Sequence, residues 1–469
     1  MSADGTDSYE RVLEVARDRA RRHLAGLADR PVREGASVEE LRGLLDGELS
    51  EEGEDPVAVV EALADAAEPG LIATGSPRYF GFVIGGALPA ALGADWLATA
   101  WDQIASLYVC GPSASVAEEV AGRWVLDLLG LPESAAFGLT TGGTVANFAG
   151  IAAGRHAVLE REGWDVEARG LQGAPPVRVL VGEHAHATIS VALKMLGLGS
   201  DNAVVVKADE RGRMVPEELA AELGRGDAPS IVCAQAGEVN TGCFDPFEEL
   251  ADLCERRGAW LHVDGAVGLW AAASPGLAHL TRGLDRADSW STDSHKWLNV
   301  PYDSGFIAVA DPAALRGAMG VSAAYLTAAD DARDGYDFVP ESSRRARGFA
   351  LYAALRSLGR QGVAELIERC CRHARRMAAE LTEDGSLELL NEVVINQVLV
   401  AVPGDQEGKA TTDAIARIQA DGTCWLAGTT WRGRPAIRVS FSNWLTTPDD
   451  VRRSAEAIRA AVAEAAPSA

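Results

Sequence analysis

The chain has 469 residues, 47% of them hydrophobic, with a mean hydropathy near zero, which suits a globular protein of two or three domains around a large core. A formal charge of −25 and an isoelectric point near 4.7 argue against nucleic acid and anionic membranes as partners, and otherwise read as solubility. Seven scattered cysteines form no CxxC pair, the acidic N-terminal stretch lacks the features of a signal peptide, and no apolar run reaches membrane length, so a reduced, cytoplasmic protein is expected.

Tyr9 to Asp29 carries Leu13, Ala16, Ala20, Leu24 and Leu27 at helical spacing. It predicts an amphipathic helix, either an ordinary surface helix or an arm that packs on a partner subunit. Ser37-Val38-Glu39-Glu40 has the form of a capping box opening a second helix, and Pro56 to Ala67 predicts a third. Gly75 to Val83 breaks this pattern. Its glycines let a backbone approach closely, and Tyr79, Phe80 and Phe82 supply a rigid apolar wall or plain core. Ser115 to Leu129 is again amphipathic. Phe137 to Phe148 then reads as strand, glycine turn and helix, and the amides of such a helix start, at Gly142, Gly143 and Thr144, can hold an anion.

Val177 to Val181 predicts a strand, followed by His184-Ala185-His186-Ala187-Thr188 and a helix from Ile189 to Leu196. No further cysteine or acid stands at ligand spacing from the two histidines, so no metal site is expected. Ser230 to Gly237 is another strand-to-turn unit, leading into Glu238-Val239-Asn240-Thr241-Gly242, and Phe247 to Arg256 is a helix. Trp260 to Asp264 reads as a buried strand ending in a carboxylate, and Ser304 to Val309 as another. Repeated strand-helix units imply a mainly parallel sheet between helices, with a site at the C-terminal ends of its strands. Asn396 to Ala401 and Ile437 to Phe441 predict strands of a small C-terminal α+β domain.

Between the strands at 260 and 304 lies Ser294-His295-Lys296-Trp297. An unpaired ammonium between buried strands is expensive. One chemical solution is an imine with a carbonyl cofactor, and pyridoxal phosphate chemistry also needs an acid for the pyridinium nitrogen. Lys296 and Asp264 supply that pair.

Ser-His-Lys-Trp after a strand-end Asp-Gly-Ala resembles the group II pyridoxal phosphate-dependent amino acid decarboxylases, which include the aromatic amino acid, glutamate and histidine decarboxylases. The resemblance extends from about Pro77 to about Val451. It implies an α/β chain of the type I, aspartate aminotransferase-like fold, with a mainly parallel seven-stranded sheet. The implied division is an N-terminal helical segment over 1–110, a large cofactor-binding domain over 111–340 and a small domain over 341–469. It further implies that Lys296 holds the cofactor and Asp264 its ring nitrogen. His186 would stack on the ring and Ala266 would pack on the opposite face. Gly142, Gly143, Thr144, Asp293 and His295 complete the cofactor site, His295 and the glycine turn taking the phosphate. Arg438, in Ile-Arg-Val-Ser-Phe-Ser-Asn, matches an arginine for the substrate α-carboxylate, while a structural arginine remains open. Tyr79 and Phe82 would shape the side-chain pocket. Tyr325, in the segment matching a mobile loop, would deliver the proton with His186 assisting, and a packing role for it remains open.

The arginines of Ser343 to Gly348 also resemble a family signature, or else form a solvated face. Glu238 and Val239 stand where many relatives have two threonines, so Glu238 is either a functional carboxylate or a capping or salt-bridge residue. The implied reaction is decarboxylation of an L-amino acid to the amine and carbon dioxide, in a homodimer with active sites at the interface. Aldehyde synthesis, aminotransfer and carbon-carbon lysis on the same fold are alternatives, as is a cofactor-binding protein without activity.

Overall fold

The computed structural model describes residues 5–33, 35–321 and 332–465. Seven strands build the central sheet: β1 (Ala136–Thr140), β2 (Arg178–Gly182), β3 (Val204–Val206), β4 (Ser230–Gln235), β5 (Trp260–Asp264), β6 (Ser289–Asp293) and β7 (Gly305–Val309). Their order is β1-β7-β6-β5-β4-β2-β3, and only β7 runs against the rest. Six strands therefore end on one side of the sheet, and the mainly parallel arrangement read from the strand-helix repeat is observed.

Both faces of the sheet are covered, as parallel strands require. The alternation of side chains along each strand assigns them to two cores. Leu180, Val232, Leu261, Val263 and Trp290 point to one face, under the helices Pro112–Leu128, Phe247–Arg257 and the first part of Gly348–Thr382. Val179, Val181, Ile231, Cys233 and Trp260 point to the other, under Gly143–Arg161, Ala187–Met195 and Pro312–Met319. The long helical run Gly348–Thr382 is broken at Gly359, where φ is 61°. It leads to a second, antiparallel sheet of β8 (Glu388–Leu389), β9 (Gln397–Ala401), β10 (Ala427–Trp431) and β11 (Arg434–Ser440), in the order β10-β11-β9-β8.

The N-terminal helices are Gly5–Gly26, Val38–Leu45 and Pro56–Ala67. The second opens on the expected capping box: Glu40 N–H donates to Ser37 Oγ, and Ser37 N–H to the Glu40 carboxylate. The arginines of 343–348 are not a solvated face. Arg344 and Arg347 are buried. Arg344 bonds Glu118 at 2.8 Å, and Arg333 meets the same carboxylate at 2.8 Å. A buried carboxylate between two guanidiniums satisfies charges that would be costly alone, and it ties the chain after residue 332 to the helix Pro112–Leu128. Among the described residues no helix is long and apolar enough to cross a membrane, and no cysteine is paired.

Candidate active site

The site grows from the alternation of β5 and β6. In Trp-Leu-His-Val-Asp, residues 260, 262 and 264 share one face; in Ser-Trp-Ser-Thr-Asp, residues 289, 291 and 293 do. The parallel register sets His262 beside Ser289 and Asp264 beside Ser291. Two adjacent strands thus deliver a column of polar side chains ending in two carboxylates at the C-terminal edge of the sheet.

Asp293 is almost fully buried and serves three donors. Lys296 Nζ lies 2.9 Å from one of its oxygens; the other accepts from Gly143 N–H at 2.6 Å and faces His295 Nε2 at 3.4 Å. His295 Nδ1 accepts from Ser304 N–H at 3.0 Å, so the ring proton sits on Nε2, toward Asp293. Burial lowers the His295 pKa, which Asp293 opposes and Lys296 reinforces. Its ring stacks on Tyr302 at 4.2 Å. The glycine turn differs from the expectation in one respect: Asp293 already takes the Gly143 amide. Among the described residues the Thr144 amide meets no acceptor, and Ser294 Oγ is buried without a partner. A Cβ on Gly142 would come within 3.1 Å of His295, and one on Gly143 within 3.0 Å of Asp293, so a side chain at either position would press on the ring or the carboxylate.

Asp264 is held by Ala266 N–H at 3.1 Å on Oδ1 and by Asn147 Nδ2 at 3.0 Å on Oδ2. His186 caps the helix Ala187–Met195, its Nδ1 engaged by the Thr188 hydroxyl at 2.9 Å. Its ring lies at the mouth of the site, open on one side. Desolvation by the surrounding protein lowers its pKa; Asp264 and Asp293 act against this, Lys296 and Arg438 with it. Those four charged groups therefore all lie near the imidazole. Arg438, on β11, is partly buried, which lowers its pKa against the pull of Glu238. Among the described residues no carboxylate pairs with its guanidinium. Glu238 is buried and fully employed: Asn240 N–H, Asn240 Nδ2, Thr241 N–H and Thr241 Oγ1 all donate to it. It is a cap that folds the 237–242 turn.

The segment from Arg78 to Gly86 reaches the site at Gly85. A Cβ on Gly85 would fall 2.1 Å from the Lys296 carbonyl oxygen, so this segment runs directly against the lysine. Tyr79 stacks on Trp425 at 4.9 Å, and Phe82, 58% exposed, leans on the same indole at 5.4 Å. His184 packs on Trp431 at 4.5 Å instead, away from this group. Among the described residues no cluster of three metal-ligating side chains occurs. Tyr325 lies outside the described residues.

Sequence reasoning missed Asn147 and His262. The period-two pattern of both strands contained the signal, because a histidine, two serines and two aspartates on one buried face need a common partner. Burial pushes His262 down to about 4. An unfolded imidazole titrates near ~6.5, so between those values the unfolded chain binds a proton that the folded chain refuses. Stability is therefore lost as pH falls from about 6.5 toward about 4, at about 1.4 kcal/mol per unit. Buried Asp245 works in the opposite sense, because burial raises its carboxyl to about 6. Comparing the chain with His262→Gln cancels that contribution. In denaturant titrations, the loss of unfolding free energy from pH 7 to pH 5 should be about 2 kcal/mol smaller in the variant. Equal losses would mean that His262 is not held neutral.

Comparisons with known proteins place the chain in a family. A family model described as pyridoxal-dependent decarboxylase conserved domain matches residues 39–402. Human cysteine sulfinic acid decarboxylase is 31% identical over 403 residues, covering 82% of this chain and 80% of the relative. An aromatic-L-amino-acid decarboxylase of Bacillus atrophaeus is 26% identical over 459 residues, covering 94% and 93%. Among solved structures, mouse CSAD superposes with a TM-score of 0.88 at 27% identity, covering 97% of this chain and 98% of that one. Oryza sativa TDC with PLP and tryptamine gives 0.92 at 23% identity, covering 99% of each, a likeness of fold.

Proposed function

The chain belongs to the pyridoxal-dependent decarboxylases, a pyridoxal phosphate-dependent carboxy-lyase acting on an amino acid, and from that premise we propose how its own side chains divide the work. The observation that carries the reading is the pairing of Lys296 with Asp293 beside a hydrogen-bonded Asp264, at the ends of neighbouring parallel strands. The residues fit the cofactor: a lysine amine with one carboxylate partner, an acid for the ring nitrogen, and a glycine cradle with an unpaired Thr144 amide and an orphan Ser294 hydroxyl for the phosphate. When bound, pyridoxal phosphate supplies a protonated ring that accepts the electrons left at Cα as carbon dioxide departs.

Lys296 is the covalent anchor, and Asp293 keeps its amine in place. Asp264 holds a proton on the ring nitrogen by charge pairing. His295 and the Gly142–Thr144 turn would hold the phosphate, and Ala266 and His186 would flank the ring. With Nδ1 engaged by Thr188, His186 presents Nε2–H, the atom suited to moving a proton at Cα. Arg438 receives the substrate α-carboxylate, which a guanidinium without an internal partner can bind bidentately. Arg438→Gln is expected to raise KM for the amino acid by about tenfold or more, with cofactor content unchanged. An unchanged KM would make Arg438 structural.

The Tyr79–Phe82–Trp425 wall favours an apolar or aromatic substrate side chain. An acidic side chain is the second reading, drawn from the relative named for cysteine sulfinic acid. Assaying carbon dioxide release across L-amino acids separates the two.

The expected assembly is a cytoplasmic homodimer. Its support is a broad exposed apolar surface: Leu13 and Leu63 on the first and third helices, then Trp96, Trp101, Val109 and Val116. So many exposed apolar side chains on the N-terminal helices and the segment after them fit burial against a second copy. Sedimentation in dilute solution should show a dimer, and a fully active monomer would contradict the assignment.

A further inference from the structure

Asn147 was given no role in the sequence reading, yet every polar atom of its side chain is spent inside the site. Its Nδ2 donates to Asp264 Oδ2 at 3.0 Å and to Thr188 Oγ1 at 3.1 Å. Its Oδ1 accepts from His262 Nε2 at 2.9 Å and from Ser291 Oγ. An amide has two donor hydrogens and two acceptor sites, and all four are used. We propose that Asn147 is a positioning residue that couples the Asp264 carboxylate to the His186 ring, its amide locked in one orientation by His262 and Ser291.

The direction of the hydrogen bonds follows from the ends of the chain. Indole nitrogen only donates, so Trp260 Nε1–H gives to Ser289 Oγ at 2.9 Å. Ser289 Oγ lies 2.8 Å from His262 Nδ1. At the other end the Asp264 carboxylate takes the Asn147 NH₂, so the Asn147 oxygen faces His262 Nε2, which must carry the proton, and Nδ1 accepts the Ser289 hydrogen. A flipped Asn147 would set its oxygen against the Asp264 carboxylate and its NH₂ against a protonated nitrogen, two repulsions in a buried site. On the far side, Thr188 accepts from Asn147 and gives its hydroxyl hydrogen to His186 Nδ1. One directed chain thus runs from Trp260 to His186, with Asp264 branching from its middle. The neutral state that burial imposes on His262 agrees with it.

The backbone is shaped for this arrangement. Asn147, Gly150 and Gly154 lie three and four residues apart on one helix face. A Cβ on Gly150 would fall 2.7 Å from the His262 ring, and one on Gly154 2.7 Å from the Trp260 ring. The helix therefore sits down on β5 only because glycine leaves room for the two rings, and this closeness brings the Asn147 amide into the polar column.

A donor on Oδ2 stabilises the charged form of Asp264, so a proton shared with the ring nitrogen stays on the ring. Without Asn147 that proton shifts toward Asp264, and the Thr188 hydroxyl on His186 Nδ1 loses the donor that orients it. The catalytic consequence rests on the function proposed above; the hydrogen-bond arrangement does not.

The test has two arms. In cofactor-free protein with ¹⁵N-labelled histidine, NMR at pH 7 should show His262 and His186 neutral and protonated on Nε2. A His262 protonated on Nδ1 would overturn the proposal, whatever the protein's activity, and this arm alone decides if Asn147→Leu does not fold. In the second arm, ¹⁵N-labelled pyridoxal phosphate is bound to the chain and to variants. The ring-nitrogen signal should move toward its unprotonated position in Asn147→Leu and His262→Phe. It should be retained in His262→Gln, whose amide keeps a donor at the Nε2 position. The first two variants should lose kcat on the order of tenfold with KM within about twofold. Lower stability with an unmoved ring-nitrogen signal would mean a merely structural Asn147 and would sink the idea.

Discussion

Lys296→Ala is expected to fold, to bind no cofactor covalently, and to lose turnover by about 10³-fold or more, the scale on which removing a covalent catalytic group acts. The substitution deletes one partner of the buried Asp293 carboxylate but leaves the Gly143 amide and His295 on it, so the local fold should survive. Borohydride treatment of the unsubstituted protein should fix the cofactor on Lys296, and the variant should take up no adduct. The chain's other lysines, Lys194, Lys207 and Lys409, lie on or beside surface helices and strands far along the sequence from this column. An adduct mapped to any of them would move the anchor.

The second large effect belongs to Asp264→Asn. The amide is nearly isosteric and can still accept from Ala266 N–H on its oxygen. Its nitrogen, however, would meet either that N–H or the NH₂ of Asn147, since both present partners of Asp264 are donors. The variant thus loses the charge that holds the ring proton and gains a donor-donor clash. Loss of a buried charge partner costs about 3 kcal/mol or more in the barrier, roughly a hundredfold in rate. Steady-state kinetics should show this in kcat, with the ring-nitrogen signal moved to its unprotonated position. A near-normal rate would mean that the acid on the ring nitrogen is another residue.

Much of this was legible in the residues. Lys296 and Asp264 stood out because charges between apolar strands demand a reason, and the two strands that carry or precede them are adjacent in the sheet. The glycine turn at 142–144 sat where strand-helix punctuation put it, whereas His186 was singled out by the family resemblance and its capping of the helix from Ala187 is seen only in the structure. The capping box at Ser37 and the helix from Pro56 to Ala67 followed from local chemistry alone. Other features required the third dimension. The 237–242 turn left Glu238 open to two readings, and only the convergence of four donors from Asn240 and Thr241 identifies it as a cap. The arginines after 343 looked as much like a solvated face as a signature, until Glu118, more than two hundred residues earlier, was found between Arg333 and Arg344. For Asn147 and His262 the strand alternation pointed to a buried polar column, but the partner that completes it lies across a contact of 115 residues.

The measurement that bears most directly on the central claim is product stoichiometry. The purified protein, loaded with pyridoxal phosphate, would be incubated with individual L-amino acids, and carbon dioxide, amine, aldehyde and keto acid would be quantified. The account predicts carbon dioxide and amine in equal amounts from at least one amino acid, with neither accumulating in Lys296→Ala. Keto acid formed without carbon dioxide, or no reaction with any amino acid by a fully loaded protein, would contradict it.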